Sequence, residues 1–178
     1  NYVIPKLQGH FTFPFIDHRT LLTAGIGESF IAEKIIEWES VLPSNLKLAY
    51  LPNYGMVRLR ITGSDTDSGR LQAVLDAQFG QLKLLVKEWM ITDEDMPIPQ
   101  VVGKLLKEKN ATLSTAESCT GGYIAHLITS VAGSSEYFKG SVISYANEGK
   151  EQVLGVSHEA LVSKGAGSEE TVRQMVQG

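Results

Sequence analysis

The sequence predicts a small α+β domain followed by part of an α/β layered domain, and three observations carry that expectation. The first half interleaves two amphipathic helix patterns with alternating strand patterns joined by turn residues. A stretch rich in acids and prolines, Thr92-Asp93-Glu94-Asp95-Met96-Pro97-Ile98-Pro99, then interrupts both periods. Beyond it strands alternate with helices, the pattern of a layered α/β sheet. The chain has 178 residues, enough for one medium domain or two small ones at roughly 100–200 residues per domain.

Taken in order, Gly9-His10-Phe11-Thr12-Phe13-Pro14-Phe15-Ile16 has neither helical nor strand period. Residues 1–19 therefore read as the tail of a missing N-terminal domain. A middle domain is expected over 20–92. It opens with a short strand at 21–25 and a helix at 28–39, whose Ile31, Ile35, Trp38 and Leu42 recur at helical spacing. Strands at 46–50 and 57–61 follow, with Pro52-Asn53-Tyr54-Gly55 between them supplying turn chemistry. The strongest helix pattern spans 68–87, with Leu71, Val74, Leu75, Gln78, Phe79, Leu82, Leu85 and Val86 on one stripe facing a core. Residues 93–99 read as a linker. The last domain, 100–178, carries a helix at 100–109, a strand at 111–116, a glycine turn, a helix at 122–130 and a strand at 140–145. Ser168 is a good N-cap for a final helix pattern that stops at the end of the chain, so this domain reads as incomplete.

Composition narrows the classes of function. Hydrophobic residues at 43% and charged residues at 20% belong to a globular chain and exclude disorder and collagen-like repeats. Sixteen basic against twenty acidic residues give a net charge of −4, which argues against nucleic acid or an anionic membrane as partner. The lone cysteine, Cys119, forbids an intrachain disulfide, and no CxxC or Cys/His cluster offers a metal site. The reading is a reducing, cytoplasmic protein without metal or cofactor. No signal core and no apolar run near 18 residues is visible, so no membrane association is expected. Asn110-Ala111-Thr112 matches a glycosylation pattern that carries no meaning without a secretory signal.

Chemistry concentrates in two places. Ser114-Thr115-Ala116-Glu117-Ser118-Cys119-Thr120-Gly121-Gly122 sits where a strand gives way to a helix. Such a turn offers backbone N–H groups to an oxyanion or phosphate. Ser118, Cys119 and Thr120 are adjacent nucleophile types, each needing a base, and side-chain identity alone does not choose among them. A capped helix with no reaction accounts for the same residues. The second place is Ser144-Tyr145-Ala146-Asn147-Glu148-Gly149-Lys150, where a strand delivers a lysine. Lys150 reads either as a base for a serine or as an ordinary surface lysine of the next helix.

Other motifs fail. Gly25-Ile26-Gly27 and Gly165-Ala166-Gly167 lack the third glycine of a dinucleotide loop. Ser118 has Gly121, not lysine, three residues on, and Tyr145 to Lys150 is one residue too long for a Tyr-x-x-x-Lys pair. His10, His18, His126 and His158 are scattered, which leaves a Ser-His-Asp triad without support.

Four motifs in order resemble one family. Ala116-Glu117-Ser118-Cys119-Thr120-Gly121-Gly122, then Gly133-Ser134-Ser135-Glu136-Tyr137-Phe138-Lys139-Gly140, then Ser144 to Lys150, then Leu154-Gly155-Val156, look like the C-terminal domain of the bacterial CinA (competence/damage-inducible) proteins. Upstream, Thr23-Ala24-Gly25-Ile26-Gly27-Glu28-Ser29 resembles the start of their KH-like middle domain. The resemblance implies a nicotinamide-nucleotide amidase of the pyridine nucleotide cycle, which hydrolyses nicotinamide mononucleotide to nicotinate mononucleotide and ammonia. By motif, Ser118 is implied as nucleophile, Lys150 as its general base and Tyr145 as an assistant that transfers a proton or holds Lys150. Glu117, Cys119, Thr120, Gly121, Gly122 and Asn147 are implied to bind the substrate. A homo-oligomer is also implied.

Two departures stand out. Ala146 and Gly149 replace a serine and an alanine of the family pattern, a change expected to loosen the turn before Lys150. The family also continues into further strands and a glycine-rich loop, so a chain ending at Gly178 is expected to be an incomplete enzyme. Nothing is carried over from the family's N-terminal domain, a molybdopterin-cofactor-binding-like fold tied to ADP-ribose pyrophosphatase activity. Two rival readings accompany the amidase: a non-catalytic nucleotide-binding or assembly module, and RNA binding by the KH-like domain. The latter is poorly served by a stretch that lacks Gly-x-x-Gly and offers only Arg58 and Arg60 as a basic patch.

Overall fold

A computed structural model of the chain describes residue 6 and residues 13–178. They fall into two compact units, Asn1–Asp95 and Met96–Gly178.

In the first unit, strands β1 (Phe15–Ala24), β2 (Leu46–Asn53), β3 (Met56–Asp65) and β4 (Met90–Thr92) form one antiparallel sheet in the order β2-β3-β1-β4. Helices α1 (Glu28–Ser40) and α2 (Ser68–Leu85) supply the apolar cover. Alternation along β3 decides the faces: Val57, Leu59 and Ile61 are buried in the core, whereas Arg58 and Arg60 on the other face stay half-buried. The core joins them to Ile31, Ile35 and Trp38 of α1 and to Leu71, Leu75, Phe79 and Leu82 of α2. Gln78 belongs to that stripe for a polar reason, since its Oε1 accepts the Trp38 indole N–H at 2.9 Å. Asp67 caps α2 by accepting from the Arg70 N–H at 3.0 Å. Tyr54-Gly55 closes the β2–β3 hairpin, with Gly55 at φ +70°.

Most element ends lie a few residues from those read in the sequence, and two of the expected domain limits are crossed by regular structure. Residues 15–19, assigned to an N-terminal tail, form the first half of β1 and pair with Ile61–Asp65 of β3. Most of them are exposed, so no burial alternation marks them; the ladder holds them, with Arg19 also paired to Asp76 of α2 at 2.8 Å. The rest of that expected tail, apart from Lys6, Phe13 and Pro14, lies outside the described residues, His10 among them. Within the expected linker 93–99, Ile98-Pro99 already belongs to helix α3 (Ile98–Glu108). Pro99 opens the helix, because a proline in the first turn sacrifices an N–H that has no intrahelical partner. Asp95 is also occupied: it pairs with Arg58, and with Arg60 at 3.6 Å. The one carboxylate thereby offsets the small basic patch of the first unit.

The second unit continues with β5 (Leu113–Glu117), α4 (Tyr123–Thr129), a 3₁₀ turn at Ser134–Glu136, β6 (Phe138–Ile143), α5 (Asn147–Leu154), α6 (His158–Lys164) and α7 (Glu169–Gln177). β5 and β6 are parallel, from Leu113↔Phe138 to Glu117↔Ile143. Their C-terminal ends therefore lie side by side, which brings the residues after Glu117 and after Ile143 together. Beneath them Leu154, Val156, Ala160, Leu161 and Met175 form a small core against Ala116. Gly103 of α3 lets Tyr137 approach: a Cβ there would stand 2.5 Å from the tyrosine hydroxyl.

Candidate active site

β5 ends at Glu117, and the chain then turns through Ser118-Cys119-Thr120-Gly121-Gly122 into α4. Gly121 (φ +58°) and Gly122 (φ +90°) take the left-handed conformations that this reversal needs. Gly122 is doubly required, since a Cβ would also stand 2.5 Å from Ile143 Cδ1 of β6. The Gly121 N–H donates to Ser118 O at 2.9 Å and the Tyr123 N–H to Thr120 O at 3.0 Å. The N–H groups of Cys119, Thr120 and Gly122 have no acceptor among the described residues.

The helix end itself is not vacant. Glu117, 2% exposed, accepts from the Ile124 N–H at 2.9 Å, the Ala125 N–H at 2.8 Å and the Thr120 hydroxyl at 2.8 Å. Burial opposes its ionisation, but the Ala125 and Ile124 N–H groups and the Thr120 hydroxyl outweigh it and hold the carboxyl below the usual carboxylate range. The carboxylate fills the positive end of α4, so an oxyanion must be met by the turn's own N–H groups.

β6 leads through Ser144-Tyr145-Ala146 into α5, which places Lys150 on the helix's inward face. Lys150 is 1% exposed. Its Nζ donates to Ser144 O and to Tyr145 O, each at 2.9 Å. It has no carboxylate within ion-pair distance among the described residues. The surface-lysine alternative is thus excluded by burial.

Ser118, Cys119, Thr120, Glu117, Tyr145 and Lys150 all line one cleft of about 520 Å³. Ser118 is half-buried there, and its hydroxyl carries no hydrogen bond among the described residues. Tyr145 holds Lys150 through its main-chain carbonyl, while its own ring is exposed at the cleft. Asn147 is elsewhere. It lines a separate cavity of about 240 Å³ with Glu148, Glu151 and His158.

The opposite wall is one the motifs did not disclose: Ala166 and Gly167 ahead of α7, and Val172 and Met175 on it. The only signal for it was the helical spacing of Val172 and Met175 after the Ser168 cap, which accepts from the Thr171 N–H at 3.2 Å. No histidine among the described residues lines the cleft: His126 stacks on Tyr123 at 6.0 Å and His158 meets Glu151 at 2.8 Å, both at the surface. Among the described residues no group of three or more His, Cys, Asp and Glu is arranged to hold a metal. Nor is any helix among them long and apolar enough to cross a membrane.

Gly149, expected to loosen the turn before Lys150, lies inside regular α5 behind the Ala146 cap. A Cβ there would meet only Ser144, at 3.7–3.8 Å, an ordinary contact. Gly149→Ala is therefore expected to stabilise the chain by about 0.5–1 kcal/mol, seen as a higher denaturation midpoint.

Residues 95–178 match the family described as the CinA C-terminal domain, and residues 18–90 match the Damage-inducible protein CinA KH domain. A CinA-like protein of Flavobacterium psychrophilum is 51% identical over 90% of this chain and 39% of its own length. One from Cytophaga hutchinsonii is 46% identical over 96% of this chain and 41% of its own length. The chain thus spans about two fifths of the length of these curated relatives. A solved structure, the competence/damage inducible protein CihA of Agrobacterium tumefaciens, is 39% identical over 45% of this chain and 48% of its own, with a TM-score of 0.44. With both domain families matched in order and relatives of this identity over most of its residues, the chain belongs to the CinA family.

Proposed function

We propose that the second unit is a serine–lysine amide hydrolase that deamidates nicotinamide mononucleotide to nicotinate mononucleotide and ammonia. One observation carries the reading: Ser118 and a buried, carboxylate-free Lys150 line the same cleft at the ends of adjacent parallel strands.

The chemistry follows from the donors and acceptors present. A neutral amine has two N–H bonds and one lone pair. With the two N–H bonds held by Ser144 O and Tyr145 O, the lone pair is left to take the Ser118 proton. Ser118 Oγ attacks the amide carbon, and the N–H groups of Cys119 and Thr120 receive the developing oxyanion. Lys150 returns the proton to the amide nitrogen, the C–N bond breaks, and ammonia leaves an ester on Ser118. Water, deprotonated by the same amine, then attacks the ester carbon, the C–Oγ bond breaks as Lys150 returns the proton to Ser118 Oγ, and the nicotinate product leaves. No step calls for a metal or cofactor, and the apolar wall of Val172 and Met175 suits a flat pyridine ring.

Ammonia release from nicotinamide mononucleotide tests this, with the 178-residue chain and with a protein of its relatives' full length that contains it. Ser118→Ala is expected to lower the rate about 10³-fold or more. A variant that keeps the wild-type rate would remove Ser118 from the chemistry.

A further inference from the structure

The family motif groups Glu117 with the residues that bind substrate, yet its carboxylate is already spent. A carboxylate offers about four lone-pair sites. Oε2 accepts from the Thr120 hydroxyl and the Ile124 N–H, and Oε1 from the Ala125 N–H, with the Thr115 and Ser141 hydroxyls each at 3.4 Å. At 2% exposure nothing is left for a ligand. The donors come from four places: β5, the turn, the first turn of α4 and β6. Gly122, the residue that caps α4, has no side chain to do this, so the cap is supplied from the strand.

We infer that Glu117 is a positioning residue, which ties the middle of the 118–122 turn and the first turn of α4 beyond it to the end of β5. The tie fixes Ser118 and the N–H groups of Cys119 and Thr120 toward the cleft. Ser118 follows the tied residue directly. Thr120, also grouped with the substrate binders, is a second part of the same tie, because its hydroxyl donates inward to Glu117. The inference rests on the amidase reading for its kinetic consequence, though not for its structural one.

The two are separated by two measurements on Glu117→Gln and, as a milder variant that keeps the buried charge, Thr120→Val. Glu117→Gln puts an NH₂ against one of the two backbone N–H donors, so the Ile124 and Ala125 amides are expected to exchange with solvent at least about tenfold faster. In Thr120→Val both amides should stay protected. In ammonia release from nicotinamide mononucleotide, Glu117→Gln is expected to lower kcat about 100-fold and Thr120→Val about tenfold, each with KM within about threefold of wild type.

A rise in KM at unchanged kcat in either variant would make that residue a substrate ligand and overturn the inference. So would unaltered protection of both amides in Glu117→Gln. If the wild-type protein releases no ammonia, the amidase reading fails while amide exchange still decides whether Glu117 ties the turn.

Discussion

Lys150→Met is expected to abolish ammonia release from nicotinamide mononucleotide, by about 10³-fold, within the range that a positioned general base supplies. Methionine is nearly isosteric and fills the buried site, so the loss reports chemistry more than packing. The variant also strands two carbonyls, Ser144 O and Tyr145 O, which lose their donor at a cost of about 1–3 kcal/mol each if they stay dry. Lys150→Arg separates the two effects. A guanidinium can donate to both carbonyls but stays protonated and cannot accept the serine proton. Stability should recover in part while activity does not. A steady-state assay paired with thermal melts checks both expectations, and an active Lys150→Arg would show that positive charge alone suffices.

Leu75→Ala is expected to be the most damaging conservative change in the first unit, at about 3–4 kcal/mol, within the range for a fully buried leucine truncated to alanine. Leu75 is 0% exposed and lies on the face of α2 that meets the sheet. The spot is dense: a Cβ on Gly63 of β3 would stand 3.4 Å from Leu75 Cδ2, with Leu46 and Leu71 closer still. Little can move in to fill the void. Leu85, read in the sequence as part of the same stripe, is 37% exposed, and its alanine variant should cost far less. Denaturant unfolding of the two variants side by side gives the comparison.

The parts of this molecule legible in its sequence are those where burial repeats along the chain. α1 and α2 each bury one stripe and read at once, and β3 alternates strictly after a turn that contains Asn53 and Gly55, while in β2 only Leu46 is fully buried. The first half of β1 is exposed, and β4 is three residues long, so neither leaves a period to detect. The helix α6, seven residues between two turns, escapes for the same reason.

In the site, the strand-turn-helix arrangement and the residues Ser118 and Lys150 were visible as motifs, while their roles depended on burial. Lys150 becomes distinctive only because it is enclosed without a carboxylate, a property that no spacing records. Glu117 shows the reverse case. Its motif suggests contact with substrate, and only the distances reveal that its acceptors face inward. The Val172–Met175 wall comes from a helix remote in sequence and brought to the cleft by tertiary packing.

The most direct test of the central claim is mass spectrometry of the protein acid-quenched during turnover of nicotinamide mononucleotide, followed by peptide mapping of the 113–129 region. A nicotinate mononucleotide acyl group on Ser118, absent in Ser118→Ala and not accumulating in Lys150→Met, is the predicted result. Ammonia release with the acyl group on Cys119, or with full activity retained in Ser118→Ala, would contradict the account.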